Sequence, residues 1–332
     1  MSSKHSLPHN SLNNKNAVKM NLKRLLFQNK NFRLAYYFRA EWKSLFKRTP
    51  QKQLSQLLQI PLSEDALSRV NYYNKLTKEV TLDDSNSMLI GDFHRPPRLR
   101  VYYYDSIEYL RYFNSIFRFQ MIPGDVVDIP AQAAIVKSRP VGGDNENAVL
   151  LNMDKVRHFN FLEDEIPYEK KKPLLIGRAA IHQNHRRRFY ELYYDNAFCD
   201  LGDTVKGSPW FKEKLSITQH LEYKFILSLE GNDVATNLKW IMSSNSIAVM
   251  PKPKFETWYM EGRLIGGVHY IEIKEDYSDL VTQLEYYLQH EEEAKQIVAN
   301  AHAYVQQFLD PMQEDLISLH VLQKYFVKTG QE

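Results

Sequence analysis

From residue 174 to the C-terminus the chain alternates, through short turns, between apolar runs of strand length and longer stretches of helical period. Runs at 174–179, 197–202, 225–231, 246–251 and 268–274 read as strands. Segments 186–194, 216–224, 235–243, 279–290, 291–309 and 314–326 read as helices, and 255–261 as a short one. Strands separated by helices pair in parallel, because a parallel neighbour needs a long crossover and an antiparallel one does not. The alternation therefore predicts an α/β domain, a parallel sheet covered by helices on both faces. Such sheets take ligands outside the carboxyl ends of their strands, with phosphate at a helix N-terminus.

The first half is less regular. Residues 19–75 read as helices, and Ser63 is placed to cap the one that follows it, with carboxylates in the first turn. A strand is expected at 98–104, a helix at 105–117, and a further apolar run at 119–127. Runs at 133–138 and 148–153 flank the turn residues Pro140, Gly142 and Gly143. A charged, proline-interrupted segment at 163–173 marks a domain boundary. The expected organisation is a disordered tail at 1–18, an N-terminal domain at 19–165 with a basic helical segment, a second domain at 166–310, and a C-terminal helix at 311–332.

Several classes are excluded or narrowed. The single cysteine, Cys199, leaves no internal disulfide and no cysteine-rich zinc site. No apolar run is long enough to span a bilayer, and the polar N-terminus lacks the apolar stretch of a signal peptide. Together these point to the cytoplasm. Eleven Lys or Arg and one acid, Glu41, lie between Lys15 and Lys52, where Ala35, Phe38, Trp42, Leu45 and Phe46 recur at helical spacing. A basic amphipathic helix can lie on an anionic membrane or meet a phosphorylated acceptor, or it can be a surface helix with a solvated face. No recognition motif accompanies the charge, so nucleic acid is not the expected partner. Tyrosine-rich stretches such as 101–104 suit both sugar stacking and half-buried packing.

Three segments offer chemistry. Residues 228–240 set Gly231, Asn232 and Asp233 between a strand and a helix, where backbone N–H groups and the helix dipole can approach an anion. An ordinary tight turn has the same composition, since the segment is neither a Walker A loop nor GxGxxG. Arg178 and the cluster Arg186–Arg188 lie about the first βα junction of the second domain. Guanidinium forks there suit a diphosphate, or else form a basic helix face. The loop 124–130 offers Asp125 and Asp128, either of which could take a proton from an attacking hydroxyl or simply shape a turn. No Asp-x-Asp occurs, so a metal-held diphosphate is not expected, and basic groups with a helix N-terminus would neutralise it. No zinc-ligand spacing or G-x-S-x-G elbow is present. Glu256, at an expected helix start, could complement the helix dipole or hold ribose hydroxyls.

At these residues the chain resembles glycosyltransferase family 90, which includes bacterial lipopolysaccharide A-type transferases, capsule-associated proteins and protein O-glucosyltransferases. The resemblance covers roughly residues 88–330 and is densest at 221–246 and 250–262, continuing through 268–280 and 314–326. It implies a GT-B fold, two Rossmann-like domains facing a cleft, and an inverting, metal-independent transfer from a UDP-sugar without other cofactors. The family's acidic base matches Asp125, with Pro130 five residues on, and a shifted register would bring Asp128 to that place. The family's arginine after the first strand of the second domain matches Arg178. The aromatic usually before it is Gly177 here, and the glycine usually after it is Ala179. The family's HRxRF pattern matches His185, Arg186, Arg188 and Phe189. Eukaryotic members carry an arginine near Asn237, so diphosphate contacts here are expected to fall more on Lys239, Arg186 and backbone amides.

The expectation is a transfer of a hexose or pentose to a bacterial surface glycan, the lipopolysaccharide core or a capsule-type polymer, at the inner face of the membrane. Asp125 would act as base, Arg178, Arg186, Arg188 and Lys239 would bind diphosphate, and Glu256 the ribose. The rival is an inactive shell that binds glycans or serves as a scaffold, which the departures at Gly177 and Ala179 would suit.

Overall fold

The computed structural model describes residues 51–332 and, ahead of them, Tyr36. The expected tail at 1–18 and all of the basic segment up to residue 50 except Tyr36 lie outside the described residues.

Helix α1 (Gln51–Leu58) leads into α2 (Glu64–Tyr73), whose start is the expected one: the Ser63 side chain accepts from the Ala66 N–H, with Glu64 and Asp65 in the first turn. Strand β1 (Met88–Leu89) is followed by α3 (Arg100–Leu110), then β2 (Arg118–Phe119), which pairs antiparallel with β1. The strand expected at 98–104 is a correction: this stretch is the start of α3, with Tyr102, Tyr103 and Tyr104 all buried. A run of apolar residues buried all round has no period of its own, so strand and helix cannot be told apart from it. Next come β3 (Met121–Ile122), β4 (Ala134–Val136), β5 (Ser138–Pro140), β6 (Ala148–Leu150) and the single-turn α4 (Lys155–His158). Strands β3, β4 and β6 form a parallel sheet with β4 in the middle.

The second half carries β7 (Lys172–Ala179), α5 (Asn184–Tyr193), β8 (Cys199–Asp203), α6 (Ile217–His220), β9 (Tyr223–Leu227), α7 (Leu238–Met242), β10 (Ile247–Met250), β11 (Phe255–Thr257), β12 (Ile271–Glu272), α8 (Leu280–Gln289) and α9 (Glu291–Gln306). Its sheet has the order β12-β10-β9-β7-β8, all parallel. Alternate residues supply its two faces. Leu175, Leu201, Phe225, Val249 and Ile271 face one cluster with Phe189 of α5 and Leu284 of α8. Ile176, Ile226, Ala248 and Met250 face the other, with Ile241 of α7 and Val305 of α9. Order reverses between β7 and β9: β7 is followed by β8 on one side, and the chain then crosses back to β9 on the other. This switch point leaves a crevice at the strands' carboxyl ends.

The short helix expected at 255–261 is the second correction. Phe255–Thr257 is strand β11, antiparallel to β5, and only Glu261–Arg263 forms a single 3₁₀ turn. The partner strand is over a hundred residues away in sequence, a pairing that local pattern does not carry. Glu256 therefore starts no helix. Its buried carboxylate accepts from Arg139 Nε at 2.7 Å and from the Tyr72 hydroxyl. The β5–β11 ladder ties the two halves together, and Tyr73 of α2 stacks on Trp258 with ring centroids 3.8 Å apart.

The last helix, α10 (Pro311–Lys328), is capped by Asp310, whose side chain accepts from the N–H groups of Met312 and Gln313. It returns to the first half. Glu314 pairs with Arg69 of α2 at 2.6 Å, and Tyr325 donates to the Ala133 carbonyl at 3.0 Å. The 163–173 segment is pinned: Lys171 pairs with Asp164 at 2.7 Å, and Asn245 donates to the carbonyls of Asp164 and Ile166.

Candidate active site

The crevice at the switch point holds a cavity of about 730 Å³. Its walls are the end of β7 (Gly177–Ala180), the turn after β9, and Arg157 and Asn160 from the first half. A neighbouring cavity of about 400 Å³ lies over the ends of β9 and β10. Gly231, Asn232, Glu230, Pro251, Pro253, Phe255 and Tyr277 are among its lining residues. The first is lined by the cations Arg157, Arg178, Arg186 and Lys214, and the second is mostly apolar with both carboxylates and lysines among its lining residues.

Asp125 stands in the loop after β3, which turns at Gly124 with φ +105°. Its Oδ1 accepts from Lys137 Nζ at 2.6 Å, and its Oδ2 accepts from Asn232 Nδ2 at 3.2 Å. Lys137, just beyond the central strand β4, also meets Asp233 Oδ2 at 2.7 Å. One ammonium thus joins an acid of the first half to an acid of the turn after β9. Burial pushes the Asp125 carboxyl up, but the Lys137 hydrogen bond and charge, Asn232 and Arg157 outweigh it and hold it below the ordinary carboxylate range. Burial opposes the charge on Lys137, yet Asp233, Tyr102 and Asp125 raise it above the usual value, so it stays an ammonium. Asp128 is exposed and lies outside this cluster.

The arginines divide. Arg178 lines the larger cavity, donates to Asp200 Oδ1 at 2.8 Å and to the Asp200 carbonyl at 2.6 Å, and leaves its buried Nε without a partner among the described residues. Burial raises the Asp200 carboxyl, but Lys212, Arg178 and Tyr223 together bring it down to about 2. Arg186 lines the same cavity, but its guanidinium is spent on backbone: Nε on the Glu230 carbonyl, Nη2 on that of Leu229, both at 2.8 Å, and Nη1 on that of Ala180. It holds the turn in place and adds its charge to the wall. Asn237 also lines this cavity, donating to the Leu227 carbonyl and accepting from Ser228. Arg188 is exposed on α5 and lines neither cavity. Lys239 is fully buried and paired with Glu261, and Glu256 is buried on Arg139; neither side chain lines a cavity.

Gly177 has its own reason. A Cβ there would meet Leu201 Cδ2 at 2.9 Å and Leu227 Cδ2 at 3.1 Å, so leucines of both neighbouring strands close over the backbone. The strand runs on unbroken through Ala179, which is in register with Asp203 of β8. Among the described residues, no three of His, Cys, Asp and Glu come together closely enough to hold a metal ion.

A profile described as Glycosyl transferase family 90 matches residues 170–327. A protein of Dichelobacter nodosus named O-glucosyltransferase LpsA is 45% identical over 262 residues, covering 78% of this chain and 82% of that one. The chain belongs to glycosyl transferase family 90. It is therefore a glycosyltransferase. The protein O-glucosyltransferases 3 of Rattus norvegicus and Homo sapiens are more distant, each 29% identical over 131 residues that make up 36% of this chain and 25% of theirs. Within the family region, Arg178, Arg186, Asn237, Gly231 and Asn232 come together about the two cavities, and Asn232 reaches Asp125.

Sequence reasoning missed three groups beside them. Lys137 ends an apolar run, where a lysine reads as the exposed end of a strand. Arg157 faces the larger cavity from α4 and pairs with Asp154 at 3.0 Å. Glu230 lines the smaller cavity and accepts from the N–H groups of Lys254 and Phe255 at 2.9 and 3.1 Å. Burial pushes its carboxyl up to about 7. The glycine beside it was the visible signal, and the acid was not.

Proposed function

We propose that this transferase moves glucose from UDP-glucose onto a hydroxyl of a bacterial surface glycan, the lipopolysaccharide core, with inversion and without a metal. The observation that carries the reading is Asp125, ionised and hydrogen-bonded to Asn232 of the turn that lines the smaller cavity. Glucose is the sugar in the name of the Dichelobacter nodosus relative. The reading takes the two halves as the facing domains of a GT-B enzyme, divided at 165/166, with 311–332 as a helix returning to the first.

In this reading the diphosphate lies in the larger cavity, where Arg178, Arg157 and Arg186 supply positive charge. Arg188, Lys239 and Glu256 take no direct part. The acceptor O–H bond breaks toward Asp125 Oδ2 as the oxygen bonds to the anomeric carbon, and the UDP oxygen leaves with the electron pair of the old bond. Fixed charge where negative charge develops, with the reactants held in place, supplies most of the acceleration. Asp125 is a weak base in isolation, but the hydroxyl becomes acidic only as it attacks, so an ionised carboxylate in place suffices. The basic segment at 15–52 would bring the enzyme to the anionic inner face of the membrane.

The test is turnover of UDP-glucose, with surface glycan as acceptor, in buffer containing EDTA. Wild type should retain full activity, and Asp125→Asn should lose about 10²–10⁴-fold in kcat with little change in UDP affinity. Activity abolished by EDTA and restored by Mn²⁺ would overturn the metal-independent step. Normal turnover in Asp125→Asn with an inactive Asp128→Asn would move the base by three residues, and UDP that never appears would favour a glycan-binding shell.

A further inference from the structure

We propose that Lys137 is the positioning residue of the reaction, a buried clamp that places the Asp125 carboxylate only when the turn at 231–233 is also in place. The inference rests on the reading of Asp125 as the base.

The two partners of Lys137 differ in how firmly they are held. Lys137 follows β4, which is laddered on both sides by β3 and β6, so the root of its side chain is fixed. Asp125 sits in a loop entered through a left-handed glycine, and a third of its side chain is exposed, 33%. The fixed ammonium therefore sets where the loop acid points. On its other side the same ammonium holds Asp233, whose side chain is 5% exposed and belongs to the turn lining the smaller cavity. A Lys137 side chain 2% exposed between two carboxylates is a costly way to stabilise a fold. Replacing such an arrangement by apolar packing is often neutral for stability, so its use here points to placement of the acid.

Charge balance says the same. One ammonium faces two carboxylates, with Arg157 of α4 acting on Asp125 and the Tyr102 phenol of α3 on Lys137. Removing Lys137 would leave Asp125 and Asp233 facing each other across the halves, with the weaker help of Asn232 and Arg157 on Asp125. Asp125 would then take up a proton more readily and swing away from the turn. Asn232 covers the second oxygen, the one an acceptor hydroxyl would take, at the longer distance of 3.2 Å. The clamp thus grips one oxygen tightly and leaves the reacting one on an exchangeable contact.

The experiment compares the full-length wild type with Lys137→Met, Lys137→Arg, Asp233→Asn and Asp125→Asn, reading kcat, kcat/KM against pH with UDP-glucose and surface glycan, and UDP affinity by calorimetry. Lys137→Met should lower kcat roughly 10²-fold or more while UDP affinity changes less than about two-fold. Its acid limb should move up by roughly 1–3 pH units, because an opposite charge at contact distance shifts a carboxyl by that much. Lys137→Arg should recover most of kcat and the wild-type limb. Asp233→Asn, which keeps Lys137 on Asp125, should lower kcat with the acid limb unmoved or shifted down, and it reads the clamp even where Lys137→Met fails to fold. An unmoved acid limb in Lys137→Met, or an equal fall in UDP affinity and kcat, would overturn the clamp. Asp125→Asn separates the two ideas: normal turnover there sinks the base, whereas an inactive Asp125→Asn beside an unaffected Lys137→Met sinks only the clamp.

Discussion

The acids of the site are set apart by their partners. Asp125 meets an ammonium and is held ionised, whereas Glu230, a few residues along the opposite turn, meets only backbone N–H groups and is pushed by burial up to about 7. Because the folded value lies above the ordinary 4.5, the native protein holds the Glu230 proton where the unfolded chain has lost it. The contribution of Glu230 is fully present below pH 4.5 and is lost as pH rises through about 7. The whole effect amounts to at most about 3 kcal/mol. Asp105 is buried and raised to about 7 as well, and it adds a slope of the same sign in any variant that keeps it. Urea midpoints of wild type and Glu230→Gln should therefore converge near pH 4.5 and separate by pH 8, with the variant the more stable. Parallel curves from pH 5 to 8 would show that Glu230 is not the titrating group. None of this is written in the local pattern. A glutamate before a glycine at a strand end reads as a solvated turn residue, whereas here the N–H groups of Lys254 and Phe255, brought in from another loop, bond its carboxylate.

At the scale of elements, legibility follows the range of the contacts. The five strands of the parallel sheet in the second half were readable because they are apolar runs between helical stretches, as burial on both faces requires. The cap at Ser63 was readable because capping is a local hydrogen bond. The β5–β11 pair was not, since its two strands lie in different halves and neither is long enough to show a period. Gly177 read as a departure at the sequence level, and it is explained by its neighbours on both sides of β7. Gly177→Val should crowd Leu201 and Leu227 and cost ~1–3 kcal/mol, since overpacking a close-packed core forces neighbours from their rotamers. Leu201→Ala in the same chain should recover part of that loss. Equal urea midpoints for Gly177→Val and wild type would show that the strands there have room to spare.

For the whole molecule, the charge is uneven: a formal net of +3 includes the eleven basic residues and one acid between Lys15 and Lys52. Attraction of such a segment to anionic lipid is worth about 1 kcal/mol per basic residue near the surface and falls within a Debye length. Binding of the full chain to phosphatidylserine vesicles should weaken steeply between 50 and 300 mM salt, roughly as screening shortens that length. Equal binding to neutral and anionic vesicles would assign the segment to an ordinary solvated surface. No helix among the described residues is long and apolar enough to cross a membrane. The return of α10 to the first half bears on how the protein is made. Leu322, Tyr325 and Phe326, all fully buried, complete a core shared with Phe113 and Phe119, so a part of the first half waits for the last helix to close. Until residue 326 is synthesised, that core lacks one wall. Until then the nascent chain lacks those aromatic partners, and a stop codon ahead of Leu322 would leave the core without that wall.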